Sequence, residues 1–404
     1  SSFSKLATGC GRGGNSLQRI SHKMSKVVPE DENKNACYGQ VFKKEALAGT
    51  GFTTWPEEYT KKRDALGAKY AKLPDGRKIC YWTEGDPKDV PIIALHGGCE
   101  GKYKWMQKEP IPGVYLIAID RPHYGGSSPI PLTYTFKDAT KDIVDFADAL
   151  GLGQFILMGH SVGTSWSQQT AAAYPNRVRG LILFASMTDP RHPEADYKVR
   201  RAFGYYPLAD FCCCCGTSDC CCHPRSGICG CLPRNIMKSL TGITGKDILA
   251  TEVKFKNKAT GGTGEDYCKK FQADPFWVAS MVDSWGAHHD GKAIVGDTYR
   301  SLTGKWVYET KDIKCPVYLY AAEADHDCQE PVASEQLKKL IPHMKVEVVN
   351  GAGHVFLNGP NEWTVKRIVD AVKDMPPLDI TAAQPEFPSP PSQPAESAPK
   401  QENM

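Results

Sequence analysis

Short apolar runs set off by turn residues punctuate the middle of this chain. Residues 91–95, 114–119, 155–158 and 181–184 are almost uniformly apolar, and a similar run, 315–322, follows a long irregular interval. Runs this short with no polar face suit strands buried on both sides, as in the parallel core of an α/β sheet. Residues 77–83, preceded by the turn signal Pro74-Asp75-Gly76, read as an earlier strand, and residues 345–349 as the last one. Between these runs the period changes. Residues 135–150 place Phe136, Ala139, Ile143, Phe146, Ala147 and Leu150 three or four apart, the spacing of a helix with one buried face, and Thr135 with Asp138 offers a near capping box. Residues 164–173 and 362–373 read as further helices. Strands alternating with helices predict an α/β fold with a mostly parallel, doubly wound sheet, and the helix at 135–150 returns the chain in the right-handed crossover sense.

The run at 155–158 leads straight into Gly159-His160-Ser161-Val162-Gly163, and a helix follows. A serine with a glycine two residues away on each side is what a very tight strand-turn-helix requires, because side chains at those two positions would collide with neighbouring backbone. The turn pushes the Ser161 hydroxyl out at the carboxyl end of the strand. The first amides of the helix, that of Val162 included, then aim toward the place where an oxyanion would form. His160, inside the motif, is expected to be a structural neighbour of the serine.

Two other strands end in motifs. His96-Gly97-Gly98-Cys99 closes the run at 91–95, and Asp120-Arg121-Pro122-His123-Tyr124-Gly125-Gly126-Ser127 closes that at 114–119. Together with Gly-x-Ser-x-Gly these resemble the α/β-hydrolase superfamily, in its serine-nucleophile, esterase-like branch with a cap insertion. The resemblance implies that Gly98 supplies a second oxyanion donor beside Val162. It also implies that a serine at the turn works through an acyl-enzyme, where the epoxide hydrolases and haloalkane dehalogenases of this fold carry aspartate. The chain departs from the pattern at His123, where the family usually has glycine. After Cys315-Pro316-Val317 the family places an acid at the strand end, which falls on Asp325, with Asp327 as the rival position. The glycine-flanked His354, in Asn350-Gly351-Ala352-Gly353-His354, stands where the family has its general base, and the chain order Ser, Asp, His agrees. No cofactor and no metal is implied.

From Asp189 to about residue 314 the strand-helix rhythm stops, and the resemblance implies a cap or lid over the site. Of the 16 cysteines, nine lie between Cys212 and Cys231. Three readings stand for this cluster: S-acylation that holds the cap loop 211–231 at a membrane surface, one metal ion on Cys222, His223, Cys229 and Cys231, or an exposed loop with no task. Apart from it, the cysteine usage fits a reduced compartment. Residues 1–59 form a basic leader without an acidic residue before Glu30, similar to an organelle transit peptide, with Met24 as an alternative start. Residues 376–404 are rich in Pro, Ser, Ala and Gln and read as a disordered tail. The hydrolase core is thus expected at 60–188 and 315–375, around a cap at 189–314.

A net charge of +3 and 24% charged residues imply no nucleic-acid partner, and no run approaches the ~18 apolar residues of a membrane span. The expectation is a cytoplasmic serine hydrolase, membrane-associated if the cysteine loop is acylated, cleaving a carboxylic ester or related acyl compound of small-molecule or lipid origin. Two rivals use the same residues: an acyltransferase or carbon–carbon bond hydrolase, and a non-catalytic small-ligand receptor. Oligomeric state and substrate are not legible.

Overall fold

The computed structural model describes residues 66–98, 100–106, 109–131, 133–189, 192, 300–301, 306–323, 325, 328, 330–350, 352–354 and 362–377. The leader, the cysteine-rich loop, nearly all of the expected cap and nearly all of the tail lie outside these residues. So does Asp327.

Among the described residues, eight strands form one sheet in the order β1-β2-β4-β3-β5-β6-β7-β8. They are β1 Lys69–Lys72, β2 Lys78–Glu84, β3 Val90–Leu95, β4 Val114–Ile119, β5 Phe155–His160, β6 Val178–Phe184, β7 Val317–Ala322 and β8 Lys345–Val349. β2 runs antiparallel to both β1 and β4, and every other pairing is parallel. The helices are α1 Phe136–Ala149, α2 Val162–Ala173, α3 Val332–Leu340 and α4 Glu362–Asp374.

Alternate residues of the central strands serve two cores. Ile93, Leu95, Phe155 and Leu157 pack with Phe136, Phe146, Trp166 and Leu337, from α1, α2 and α3. Ile92, Ala94, Ile156 and Met158 pack with Trp105, Ile368 and Ala371, the last two from α4. Two covered faces explain why these strands are apolar throughout. The expected α/β-hydrolase architecture, a mostly parallel sheet wound on both sides, is what the chain forms.

Individual elements refine the sequence reading. Thr135 caps α1 through a true capping box: its amide and its hydroxyl both donate to Asp138 Oδ2, at 2.7 Å each, and its side chain takes the N3 amide. β5 continues through Gly159 and His160, so the turn that follows contains a single residue, Ser161. The short strand β1 and the helix α3 were not anticipated. Residues 306–314, the end of the expected insertion, lie against the core. Trp306 meets Phe136 edge-on, and Gln169 of α2 grips the backbone there, accepting from the amides of Val307 and Tyr308 at 2.8 and 2.9 Å and donating to the Tyr308 carbonyl at 2.7 Å. No helix among the described residues is long and apolar enough to cross a membrane.

Candidate active site

At the carboxyl end of β5 the chain reverses on Ser161, whose φ of 52° and ψ of −125° lie in a region that L-residues seldom adopt. Such a conformation costs on the order of 1–3 kcal/mol, and it persists because the flanks fix it. A Cβ on Gly163 would stand 2.4 Å from the Leu95 carbonyl oxygen, and one on Gly159 2.8 Å from Ser167 Oγ. Only glycine lets α2 approach β3 and β5 this closely. The Ser161 amide donates to the Phe184 carbonyl of β6 at 3.1 Å, and the Thr164 hydroxyl donates to the Ser161 carbonyl at 2.5 Å. The turn is held from both sides.

Three side chains from distant parts of the sequence meet here. Ser161 Oγ lies 2.9 Å from His354 Nε2, and His354 Nδ1 lies 3.0 and 2.9 Å from the two carboxylate oxygens of Asp325. All three are nearly enclosed, at 7%, 7% and 1% exposure. Asp325 follows β7, and its Oδ1 also accepts the Cys328 amide at 2.8 Å. Burial pushes the Asp325 carboxyl up, but the neighbouring His354 and the Cys328 amide outweigh it and hold the group below its ordinary value. An ionised Asp325 accepts a hydrogen bond from Nδ1–H, which leaves Nε2 as the acceptor facing the serine hydroxyl.

The loop after β3 carries Gly98. A Cβ built there would meet only Val162 Cγ2, at 3.7 Å, so Gly98 and Val162 are immediate neighbours beside Ser161. As the first residue of α2, Val162 has no intrahelical acceptor for its amide. The loop is clamped by Arg121, from the Asp-Arg-Pro motif. Its Nε donates to the His96 carbonyl and its Nη2 to the Gly97 carbonyl, both at 2.9 Å, while its amide donates to His96 Nε2 at 3.0 Å. That motif therefore fixes which way the His-Gly-Gly backbone faces.

Beneath the loop is a buried charged cluster that the sequence reading did not identify. Glu100 accepts the Gly97 amide at 2.7 Å and the Lys104 ammonium at 2.5 Å. The same ammonium lies 2.8 Å from His160 Nδ1, and His160 Nε2 lies 3.1 Å from the His354 carbonyl. Burial, then the Lys104 charge, push His160 below its ordinary value, while Glu100 Oε2, 3.0 Å from its Nδ1, pulls the other way. Burial raises the Glu100 carboxyl, but Lys104 and His160 overcome this and hold it well below the usual range. Lys102, also fully buried, pairs with Asp120 at 2.8 Å. His160 was expected to be a structural neighbour; it is one, and it joins the loop carrying Gly98 to the backbone of His354. The charges at 100, 102 and 104 alternate with small or aromatic residues in a loop, a pattern that reads as solvated, and nothing in the spacing reveals their burial.

His123 adopts a φ of 74°, the left-handed region that glycine favours. The conformation glycine would give is thus kept by a histidine. Its ring accepts the Ile130 amide at 3.2 Å, and its own amide donates to the Ser128 carbonyl at 3.0 Å, two bonds that offset the backbone strain. Chemically, the arrangement sets a hydroxyl against an imidazole acceptor whose second nitrogen is held by a carboxylate.

Comparison with known proteins agrees with this architecture. A family model described as alpha/beta hydrolase fold matches residues 90–208. A proline iminopeptidase of Neisseria gonorrhoeae is 34% identical over 115 residues, which cover 26% of this chain and 35% of that protein. The chain thus spans about a third of the length of the first curated relatives it matches. A bifunctional epoxide hydrolase 2 of Sus scrofa is 34% identical over 135 residues, covering 32% of this chain and 24% of that one. Among solved structures, an epoxide hydrolase of Vigna radiata superposes with a TM-score of 0.51 at 20% identity, covering 76% of this chain and 98% of its own.

Proposed function

For a chain that belongs to the α/β-hydrolase fold superfamily, we propose that the activity is that of a serine hydrolase, cleaving a carboxylic ester or related acyl substrate through an acyl-enzyme on Ser161. The observation that carries this reading is the contact chain from Ser161 Oγ to His354 Nε2 and from His354 Nδ1 to Asp325. His354 takes the Ser161 proton as the oxygen attacks the substrate carbonyl. Asp325 holds the imidazole tautomer and stabilises the imidazolium. The amides of Gly98 and Val162 receive the oxyanion. His354 then returns the proton to the leaving group, and water, activated by the same imidazole, attacks the acyl-enzyme.

The epoxide hydrolases among the similar proteins do not change this choice. Family members of that activity carry aspartate at the turn, and an alkyl-ester intermediate needs a carboxylate nucleophile. Ser161 offers a hydroxyl, which suits acyl transfer.

A panel of p-nitrophenyl esters of rising acyl length, with a prolyl p-nitroanilide as a further arm, tests the reading. Wild type should turn over at least one ester, and Ser161→Ala should lose on the order of 10⁶ in kcat. Equal rates for the two proteins on every active substrate would remove Ser161 from the chemistry.

A further inference from the structure

Behind His354, on the side away from Ser161, lies a group for which the proposed reaction has no use. Cys328 is wholly buried. Its thiol donates to the Ala185 carbonyl at 3.0 Å, and its Sγ lies 3.5 Å from Met187 Sδ and 3.8 Å from His354 Nδ1. Sγ, Nδ1 and a carboxylate oxygen of Asp325 all lie within 4.8 Å of one another. With Zn–S of about 2.3 Å and Zn–N of about 2.0 Å, tetrahedral geometry separates those two ligand atoms by about 3.5 Å. The observed 3.8 Å is close to that. The imidazole and carboxylate, now 2.9 Å apart, need to open by only a few tenths of an ångström.

We infer that Asp325, Cys328 and His354 form a site for a thiophilic divalent cation, Zn²⁺ or Cd²⁺, whose occupation switches off Ser161. The donor set decides the class of ion. One thiolate, one imidazole and one carboxylate suit a borderline or soft cation, the Met187 thioether adds a second soft atom at the sulfur, and Mg²⁺ or Ca²⁺ would find too few oxygens. A divalent ion with a thiolate and a carboxylate is neutral overall, which suits an enclosed position.

The switching half of the inference rests on the serine hydrolase reading. Binding breaks the Cys328 S–H bond, forms the sulfur–metal bond and sends the thiol proton to solvent. Nδ1 must give its lone pair to the metal, so the imidazole proton moves from Nδ1 to Nε2. No electron changes hands. The Nε2–H tautomer donates to Ser161 Oγ and has no lone pair to accept the serine proton, and Asp325 is occupied by the metal. Both functions of the base are lost together.

The chain holds 16 cysteines, so the test is a difference between proteins. Cys328→Ala keeps the backbone amide that donates to Asp325, and Cys328→Ser serves if the alanine variant does not fold. Ester turnover is measured at buffered free Zn²⁺, each protein relative to its own metal-free rate. Cd²⁺ is titrated in parallel, following thiolate charge-transfer absorbance. Wild type should lose turnover and regain it with a chelator, Cys328→Ala should need at least tenfold more free Zn²⁺, and wild type should bind one more equivalent of Cd²⁺. Equal Cd²⁺ stoichiometry, or equal Zn²⁺ sensitivity, would overturn the site. An extra Cd²⁺ equivalent in a protein that hydrolyses no ester would leave the site standing and sink the serine hydrolase reading instead.

Discussion

Ser161 combines two demands that conflict at the scale of one residue: the hydroxyl must project from the strand end, and the backbone needed for that is one glycine adopts more readily. Replacing it separates the two. Ser161→Gly and Ser161→Ala both lose the hydroxyl and its contact with His354, but only alanine retains the strain of the 52° φ. The glycine variant should therefore be the more stable by about 1 kcal/mol, after allowing for glycine's greater entropy in the unfolded chain. Urea midpoints of the two variants check this, and an alanine variant as stable as the glycine one would show the turn to be unstrained. This residue was legible from the sequence because a turn so tight leaves glycines at fixed offsets. His123 was legible only as an exception: the family pattern showed that something was unusual there, but not that Ile130 and Ser128 would hold a histidine in the left-handed region.

Among the elements, α1 is tied to the start of the sheet by a polar knot in an otherwise apolar contact. Asp142 accepts both terminal nitrogens of Arg77 at 2.6 Å and the Tyr134 hydroxyl at 2.6 Å, and it is 4% exposed. Removing it leaves a guanidinium and a phenol without this acceptor, so Asp142→Ala should lower unfolding stability by about 2–4 kcal/mol. Denaturant unfolding measures it; a change under 1 kcal/mol would mean that water replaces the carboxylate at little cost. The strands β3, β4, β5 and β6 were readable because both their faces are covered, which makes them apolar at every position. β1, Lys-Tyr-Ala-Lys, was not, since it pairs only with β2 and buries Ala71 alone. α3 has nine residues, a window too short for its period to stand out. The Ser, Asp and His were recoverable from turn chemistry and chain order, whereas Glu100, Lys102 and Lys104 were not, because charge in a loop ordinarily faces water.

The whole molecule converges on that buried charge. Glu100 joins the loop after β3, through the Gly97 amide, to Lys104 and His160 and thence to the His354 backbone, so parts of the chain more than 250 residues apart share one electrostatic cluster. Its carboxyl is held well below the 4.5 of an unperturbed glutamate, so the stability it contributes is present above that pH and is lost as the pH falls below it, where the unfolded chain takes up a proton that the native state does not. Glu100→Gln strands the Lys104 charge and should cost about 3–5 kcal/mol at neutral pH. Because the variant lacks the titrating group, its deficit should shrink at pH 4, and parallel stability curves for the two proteins would contradict the linkage. The cluster joins the loop carrying Gly98 to the backbone of His354, and under the proposed reaction it positions the oxyanion donor against the base. Covalent labelling tests the central claim, an acyl-accepting Ser161 activated by His354, most directly. A fluorophosphonate should leave its adduct on the peptide containing Ser161, none should form in Ser161→Ala, and His354→Ala should slow labelling by about 10²–10⁴. An unlabelled wild type, or labelling at Ser161 that is indifferent to His354, would contradict it.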